Sequence, residues 1–192
     1  MNLPNKLTTL RCLLVPVFML FMYPKGKYSF LIALIVFSVA SFTDFLDGSI
    51  ARKNNMVTDF GKFMDPLADK LLTTVALIYL CKYGFCHEIV LCIVLAREFA
   101  VSGIRMIAAS SAGGGKVIAA GIWGKAKTVF QMFAIIYGLF VISLLQMGIV
   151  DATLFSKLNL VTVAAMWIMA ALTVISGLKY IIPNIDLIKN AK

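Results

Sequence analysis

The sequence predicts an all-α, polytopic membrane protein of six transmembrane helices, and three observations support that reading. Hydrophobic residues make up 61% of the 192 positions and charged residues only 14%, whereas charged residues alone are about a quarter of an ordinary soluble chain. So few polar side chains could not cover that much apolar surface in water, so lipid is the expected solvent. Six apolar stretches of near-spanning length succeed one another along the chain. Five of the nine acidic residues (Asp44, Asp47, Asp59, Asp65 and Asp69) fall in one short segment, leaving the rest of a chain of net charge +9 almost purely basic.

The stretches run over about Leu7–Tyr23, Ser29–Arg52, Thr58–Cys81, Ile89–Ala109, Thr128–Val150 and Leu158–Ile182. Each approaches the roughly 20 residues that a helix needs to cross the hydrocarbon layer. Breakers separate them: Pro24-Lys25-Gly26-Lys27, Lys53-Asn54-Asn55, Gly84, Gly113-Gly114-Gly115 and Gly148. No internal repeat divides residues 1–192, which are expected to form a single domain. Lys6 followed by an apolar run mimics a signal peptide, but Arg11 interrupts the run and no small-x-small site follows. The first stretch is expected to be a retained span.

With an even number of spans both termini share one side. That side collects Lys6, Arg11, Arg52, Lys53, Lys62, Arg105, Lys116, Lys125, Lys127, Lys189 and Lys192, against Lys25, Lys27, Lys82 and Lys157 on the other. The excess predicts cytoplasmic termini in a multi-pass protein of the cell membrane, in contact with anionic lipid. No basic run is interleaved with aromatics, so nucleic acid is not an expected partner. Cys12, Cys81, Cys86 and Cys92 form no metal-binding spacing and are expected to be small apolar-like residues, with His87 in a loop.

The third stretch is the informative one. Its purely apolar part, Leu71 to Cys81, is eleven residues, about 16 Å of helix, too short to cross a bilayer alone. The helix must therefore begin earlier and bring Asp65 and Asp69 below the membrane surface. The second stretch likewise covers about 22 Å before reaching Asp44. Acids at that depth are costly if they face lipid, so they are expected to line a polar, metal-binding cavity at the cytoplasmic side.

Asp44, Asp47, Gly48 and Ala51 share one helix face, as do Gly61, Asp65 and Asp69. A hairpin turning near Asn54 and Asn55 would bring four carboxylates together among small residues. Like charges so close raise one another's pKa, and two divalent cations resolve the conflict. Oxygen ligands without His or Cys favour Mg2+ or Mn2+ over zinc. Ion pairing with Lys62 and Lys70 is the plainer alternative. Pro66 is expected either to kink the helix near Asp65 or to be tolerated there.

DFLDGSIAR, eight residues, then GKFMDPLAD resembles the signature of the CDP-alcohol phosphotransferase family, with Asp44, Asp47, Gly48, Ala51, Arg52, Gly61, Asp65 and Asp69 in register. The resemblance implies that the four aspartates Asp44, Asp47, Asp65 and Asp69 hold the metal pair. It implies that Gly48, Ala51 and Gly61 let cytidine approach, and that Arg52 meets the diphosphate. Asp69 is also implied as general base toward the acceptor hydroxyl, whose oxygen attacks the lipid-side phosphorus as CMP leaves. A homodimer is a further implication.

Three more stretches, NLPNKLTTLR, LAREFAVSGIR and GKAKT, resemble the bacterial phosphatidylglycerophosphate synthases within that family and extend the likeness over about the first two-thirds of the chain. They imply CDP-diacylglycerol and sn-glycerol 3-phosphate as substrates; an anionic acceptor needs cations, and Arg97, Arg105, Lys125 and Lys127, on the fourth span, its cytoplasmic end and the start of the fifth, are the set expected to meet its phosphate. Asn5 and Thr8 either help hold the nucleotide-lipid or N-cap the first helix. Glu98, next to Arg97, is expected to point away from it, because sequence neighbours do not share a helix face. From Phe130 onward only hydrophobic scaffold is expected, and Gly113 to Lys116 lacks the spacing of a phosphate-binding loop. Inositol phosphate, serine or phosphatidylglycerol as acceptor stays open, as do a membrane prenyltransferase and a cation transporter whose acids form an ion path.

Overall fold

In lipid a backbone N–H or C=O has no water to pair with, so each apolar stretch must satisfy its own peptide groups as a helix. The computed structural model follows that rule. Its helices are α1 (Leu3–Phe21), α2 (Ser29–Asn54), α3 (Asp59–Lys82), α4 (Glu88–Ser110), α5 (Ile122–Met147) and α6 (Ala152–Ile181), with a 3-10 turn at Ile182–Asn184. The structure describes the backbone of residues 3–23, 26–54, 59–110 and 121–184, and the side chains of residues 10, 12–23, 26–43, 70–106 and 121–184. The Gly113–Lys116 loop lies outside them.

The expected six helices are present and the described residues contain no strand. Two of the helices, α5 and α6 with its 3-10 extension, are long and apolar enough over their described residues to cross a membrane. The apolar runs described in α1 and α2 are Cys12–Phe21 and Ser29–Thr43.

Three helices start earlier than the apolar stretches suggest, because the hydrogen-bond ladder continues into polar flanks. Helix α5 begins at Ile122 rather than Thr128, and α6 at Ala152 rather than Leu158. The start of α6 is fixed by Asp151, whose carboxylate accepts the Leu154 N–H at 3.0 Å. Because α1 is helical from Leu3, Asn5 and Thr8 sit inside it and are not its N-cap. The α3–α4 turn closes on Gly84 at φ +79°, with Gly84 N–H donating to Cys81 O and Phe85 N–H to Leu80 O, the pairing a left-handed glycine permits at a helix end.

The helices close into a ring. Helix α1 packs on α2 and α3, α2 on α5, α5 on α6, α6 on α4, and α4 on α3, with α3 also reaching α5. Over their described residues α2 and α3 both pack on α1; the hairpin turn expected near Asn54 and Asn55 leads into residues outside those described. Phe18 of α1 makes the junction, its ring 6.0 Å from Phe37 of α2 and 6.3 Å from Tyr79 of α3. The interior is filled by wholly buried side chains such as Phe18, Phe37, Leu80, Ile135, Leu139 and Met166.

At one end of the ring Gln146 of α5 ties down the start of α2. Its Oε1 accepts the Phe30 N–H at 2.9 Å and its Nε2 donates to Ser29 Oγ at 3.2 Å. Outward, every helix presents large apolar side chains: Leu20, Phe42, Ile78, Phe99, Phe133 and Leu160 are exposed, one on each helix in turn. Buried hydroxyls in α6 return their protons to their own helix, Thr162 to Leu158 O and Thr173 to Met169 O, which is how a polar group is accommodated without water.

Candidate active site

Helix α2 runs unbroken to Asn54 and α3 begins at Asp59. Asp44, Asp47, Gly48, Ala51 and Arg52 thus occupy the last turns of one helix, and Gly61, Asp65 and Asp69 the first turns of the next. The helical spacing that puts Asp44 with Asp47 and Asp65 with Asp69 on common faces is kept, and α3 stays helical across Pro66. The side chains of these eight residues, and those of Asn5, Thr8 and Lys62, lie outside the described residues.

Side-chain description resumes at Lys70, one residue after Asp69. The Lys70 ammonium lies 3.3 Å from a carboxylate oxygen of Glu98 on α4 and donates to the Glu98 carbonyl at 3.1 Å; whether Lys62 and Lys70 pair with the four aspartates lies outside the described residues. It also donates to the Ser102 hydroxyl, one turn along α4.

Glu98 is the hub of this end of the molecule. Lys127 of α5, only 2% exposed, donates to its carboxylate, and the Arg97 guanidinium reaches the same oxygen at 3.3 Å. Arg97 and Glu98 do meet, contrary to the expectation from helix periodicity, because both side chains are long enough for their charged ends to reach one another. The arginine stem is held by α6: a Cβ on Gly177 would sit 3.1 Å from Arg97 Cγ, so the absence of a side chain there makes room. Arg97 Nε is buried without a hydrogen-bond partner among the described residues, leaving a donor for an incoming oxygen.

The remaining predicted cations separate. Arg105, two turns beyond Glu98, donates from Nε to the Tyr180 hydroxyl at 3.3 Å and lies 5.4 Å from that ring's centroid. Lys125 is exposed in the first turn of α5. Of the four sequence-predicted cations, Arg97 and Lys127 converge on one carboxylate, while Arg105 and Lys125 lie apart from it.

Glu98, Ser102, Gly177 and Tyr180 were not singled out from sequence as site residues. For Glu98 a signal existed: an acid inside an apolar stretch marks a functional position by default. For Gly177 and Tyr180 there was none, since only the packing of α6 on α4 brings them to the cations. The last third of the chain thus supports these cations as well as the apolar interior.

Among the described residues no three His, Cys, Asp or Glu side chains gather as a metal site. Glu98, engaged by three cations, offers no free carboxylate to a metal.

The sequence of the chain matches the CDP-alcohol phosphatidyltransferase family over residues 1–177. The chain belongs to that family. The match runs through most of α6, well past the two-thirds of the chain that the local motifs covered. A Bacillus subtilis protein named CDP-diacylglycerol–glycerol-3-phosphate 3-phosphatidyltransferase is 38% identical to it, covering 99% of this chain and 98% of its own length. A Rickettsia bellii protein of the same name is 41% identical over 93% of each chain. A Mycobacterium tuberculosis protein named probable phosphatidylglycerophosphate synthase is 37% identical over 94% of this chain and 80% of its own. As a CDP-alcohol phosphatidyltransferase family member the chain is a membrane transferase of phospholipid synthesis.

Proposed function

We propose that this family member transfers the phosphatidyl group of CDP-diacylglycerol to sn-glycerol 3-phosphate, giving phosphatidylglycerophosphate and CMP. The observation that supports the acceptor best is the convergence of Lys70, Arg97 and Lys127, the last of them buried, on Glu98. Cations removed from water favour a compact anion such as a phosphate monoester over a neutral or zwitterionic alcohol. The names of the relatives select glycerol 3-phosphate among phosphorylated acceptors.

Asp44, Asp47, Asp65 and Asp69 would hold two divalent cations, Mg2+ or Mn2+, which when bound balance the charge of the diphosphate. The residues fit that group: the donors are all carboxylate oxygens, and Lys70, the cation nearest Asp69 in the chain, is already engaged by Glu98. Gly48, Ala51 and Gly61 would leave space for cytidine, and Arg52 would meet the diphosphate. Asn5 and Thr8, within α1, contribute to holding the nucleotide-lipid. Arg97 and Lys127, with Lys70, receive the acceptor phosphate and so orient its free hydroxyl, and Arg105 and Lys125 add positive charge around its approach. Asp69 takes the proton from that hydroxyl; the oxygen bonds to the phosphatidyl phosphorus as the bond to CMP breaks.

All six helices are assigned as membrane spans, with both termini cytoplasmic. The large apolar side chain turned outward by each helix supports this, as does the basic excess at the signature end. A homodimer is assigned from the family resemblance.

Offering the purified chain CDP-diacylglycerol with glycerol 3-phosphate, inositol phosphate, serine or phosphatidylglycerol, and weighing the lipid product by mass spectrometry, tests the reading. The mass of phosphatidylglycerophosphate is expected; phosphatidylserine, a phosphatidylinositol phosphate or cardiolipin as the main product would overturn it.

A further inference from the structure

Glu98 stands inside an apolar helix, yet cations from three helices meet on it: Lys70 of α3, Arg97 of α4 and Lys127 of α5. A purely structural ion pair needs one partner. Among the described residues three positive charges face one negative charge, an excess of two on side chains of which Lys127 is the most deeply buried. That excess matches the charge of a phosphate monoester, which is close to two negative charges near neutral pH. Without an anion among them, three cations so close would repel one another and spread.

We propose that Glu98 is a positioning residue for the acceptor: its carboxylate fixes the spacing of Lys70, Arg97 and Lys127 so that the phosphate meets a preassembled group of cations. The role rests on the phosphatidyltransferase reading. Glu98 does not touch the reacting atoms. It links three helices at one point, and one of them, α3, carries Asp69 immediately before Lys70. The same carboxylate thus relates where the acceptor phosphate is held to where its hydroxyl loses a proton. Ser102 completes the arrangement by accepting a hydrogen bond from Lys70.

A different role is chemically possible for the same contacts. Glu98 could act as an internal mimic of the acceptor that phosphate must displace. The two roles give opposite signs, because removing a competitor tightens acceptor binding and removing an organiser weakens it.

The test uses the full chain in detergent–lipid micelles, with glycerol 3-phosphate and CDP-diacylglycerol varied separately. Glu98→Gln keeps the shape and removes the charge. It is expected to raise the glycerol 3-phosphate KM by roughly ten- to hundredfold, as losing a charge-assisted contact implies, and to leave the CDP-diacylglycerol KM within about twofold. Combined with Lys127→Met, it should raise that KM by less than the product of the two single effects, since the two side chains act as a unit. Glu98→Asp, which keeps the charge on a shorter stem, should restore part of the loss. It also serves as the test variant if Glu98→Gln does not accumulate. A lower acceptor KM in Glu98→Gln, an unchanged one in either single variant, or equal increases for both substrates would overturn the proposal. A wild-type chain inert toward glycerol 3-phosphate would instead remove the functional reading itself.

Discussion

Arg105 and Tyr180, 75 positions apart, are joined through the Arg105 Nε–H and the Tyr180 hydroxyl at 3.3 Å, with the guanidinium also 5.4 Å from the ring centroid. The contact carries the end of α6 onto α4 and holds a cation that would otherwise sweep freely from the helix surface. Tyr180→Phe keeps the ring and loses the hydroxyl. The glycerol 3-phosphate KM is expected to rise about three- to tenfold, and Tyr180→Ala, which also removes the cation–π contact, should raise it further. Steady-state kinetics with the acceptor varied checks both.

Lys127 is the most deeply buried of the predicted acceptor-binding cations. Lys127→Met fills a similar volume without charge and leaves Glu98 still paired with Lys70 and Arg97. The variant should remain folded, with kcat/KM for the acceptor lowered by roughly ten- to hundredfold and the KM for CDP-diacylglycerol little changed. Wild-type kinetics for the acceptor would place the phosphate elsewhere.

Gly177 lets the stem of Arg97 lie against α6, where an added Cβ would meet Arg97 Cγ at 3.1 Å. The arginine stem is flexible, so Gly177→Ala should be absorbed by a small shift. Gly177→Val adds bulk that pushes the guanidinium off its place beside Glu98. We expect near wild-type acceptor KM for the alanine variant and an increase of about tenfold or more for the valine variant. Thermal unfolding in detergent should show both folded.

How much of this was legible beforehand differs between fold and site. Helix number followed from apolar runs, because lipid forces each run to be a helix. Helix starts did not: Asp151 and the flank Ile122–Lys127 are polar enough to hide the first turns of α6 and α5. The ring order was also hidden, since Phe18 meeting both Phe37 and Tyr79 depends on side-chain shape across three helices. The proposed metal ligands Asp44, Asp47, Asp65 and Asp69 are local in sequence, and their spacing announces them. The Glu98 hub joins residues 28 and 29 positions apart, so no local pattern reveals it, and helix periodicity even argued against the Arg97–Glu98 contact.

The Asp151 carboxyl lies outside the spans, and its pKa is held below the ordinary carboxylate value by the Thr153 hydroxyl and then by the Leu154 N–H. A depressed native pKa means that the ionised cap stabilises the fold at pH values above the unfolded pKa of about 3.9. The contribution is lost as pH falls through the lower native value. The difference in thermal stability between the wild type and Asp151→Ala should therefore be flat from pH 8 to about 5 and shrink below about 4. A difference that grows on acidification would show that Asp151 does not act as an ionised cap.

The measurement closest to the central claim is CMP release from CDP-diacylglycerol by the purified chain, by its Asp69→Asn variant, and by the wild type in the presence of a divalent-cation chelator. The wild type should release one CMP for each phosphatidylglycerophosphate formed, and only when glycerol 3-phosphate is present. The variant and the chelated enzyme should release almost none, with Mg2+ or Mn2+ restoring only the latter. CMP release that ignores the acceptor, or full activity in Asp69→Asn, would contradict it.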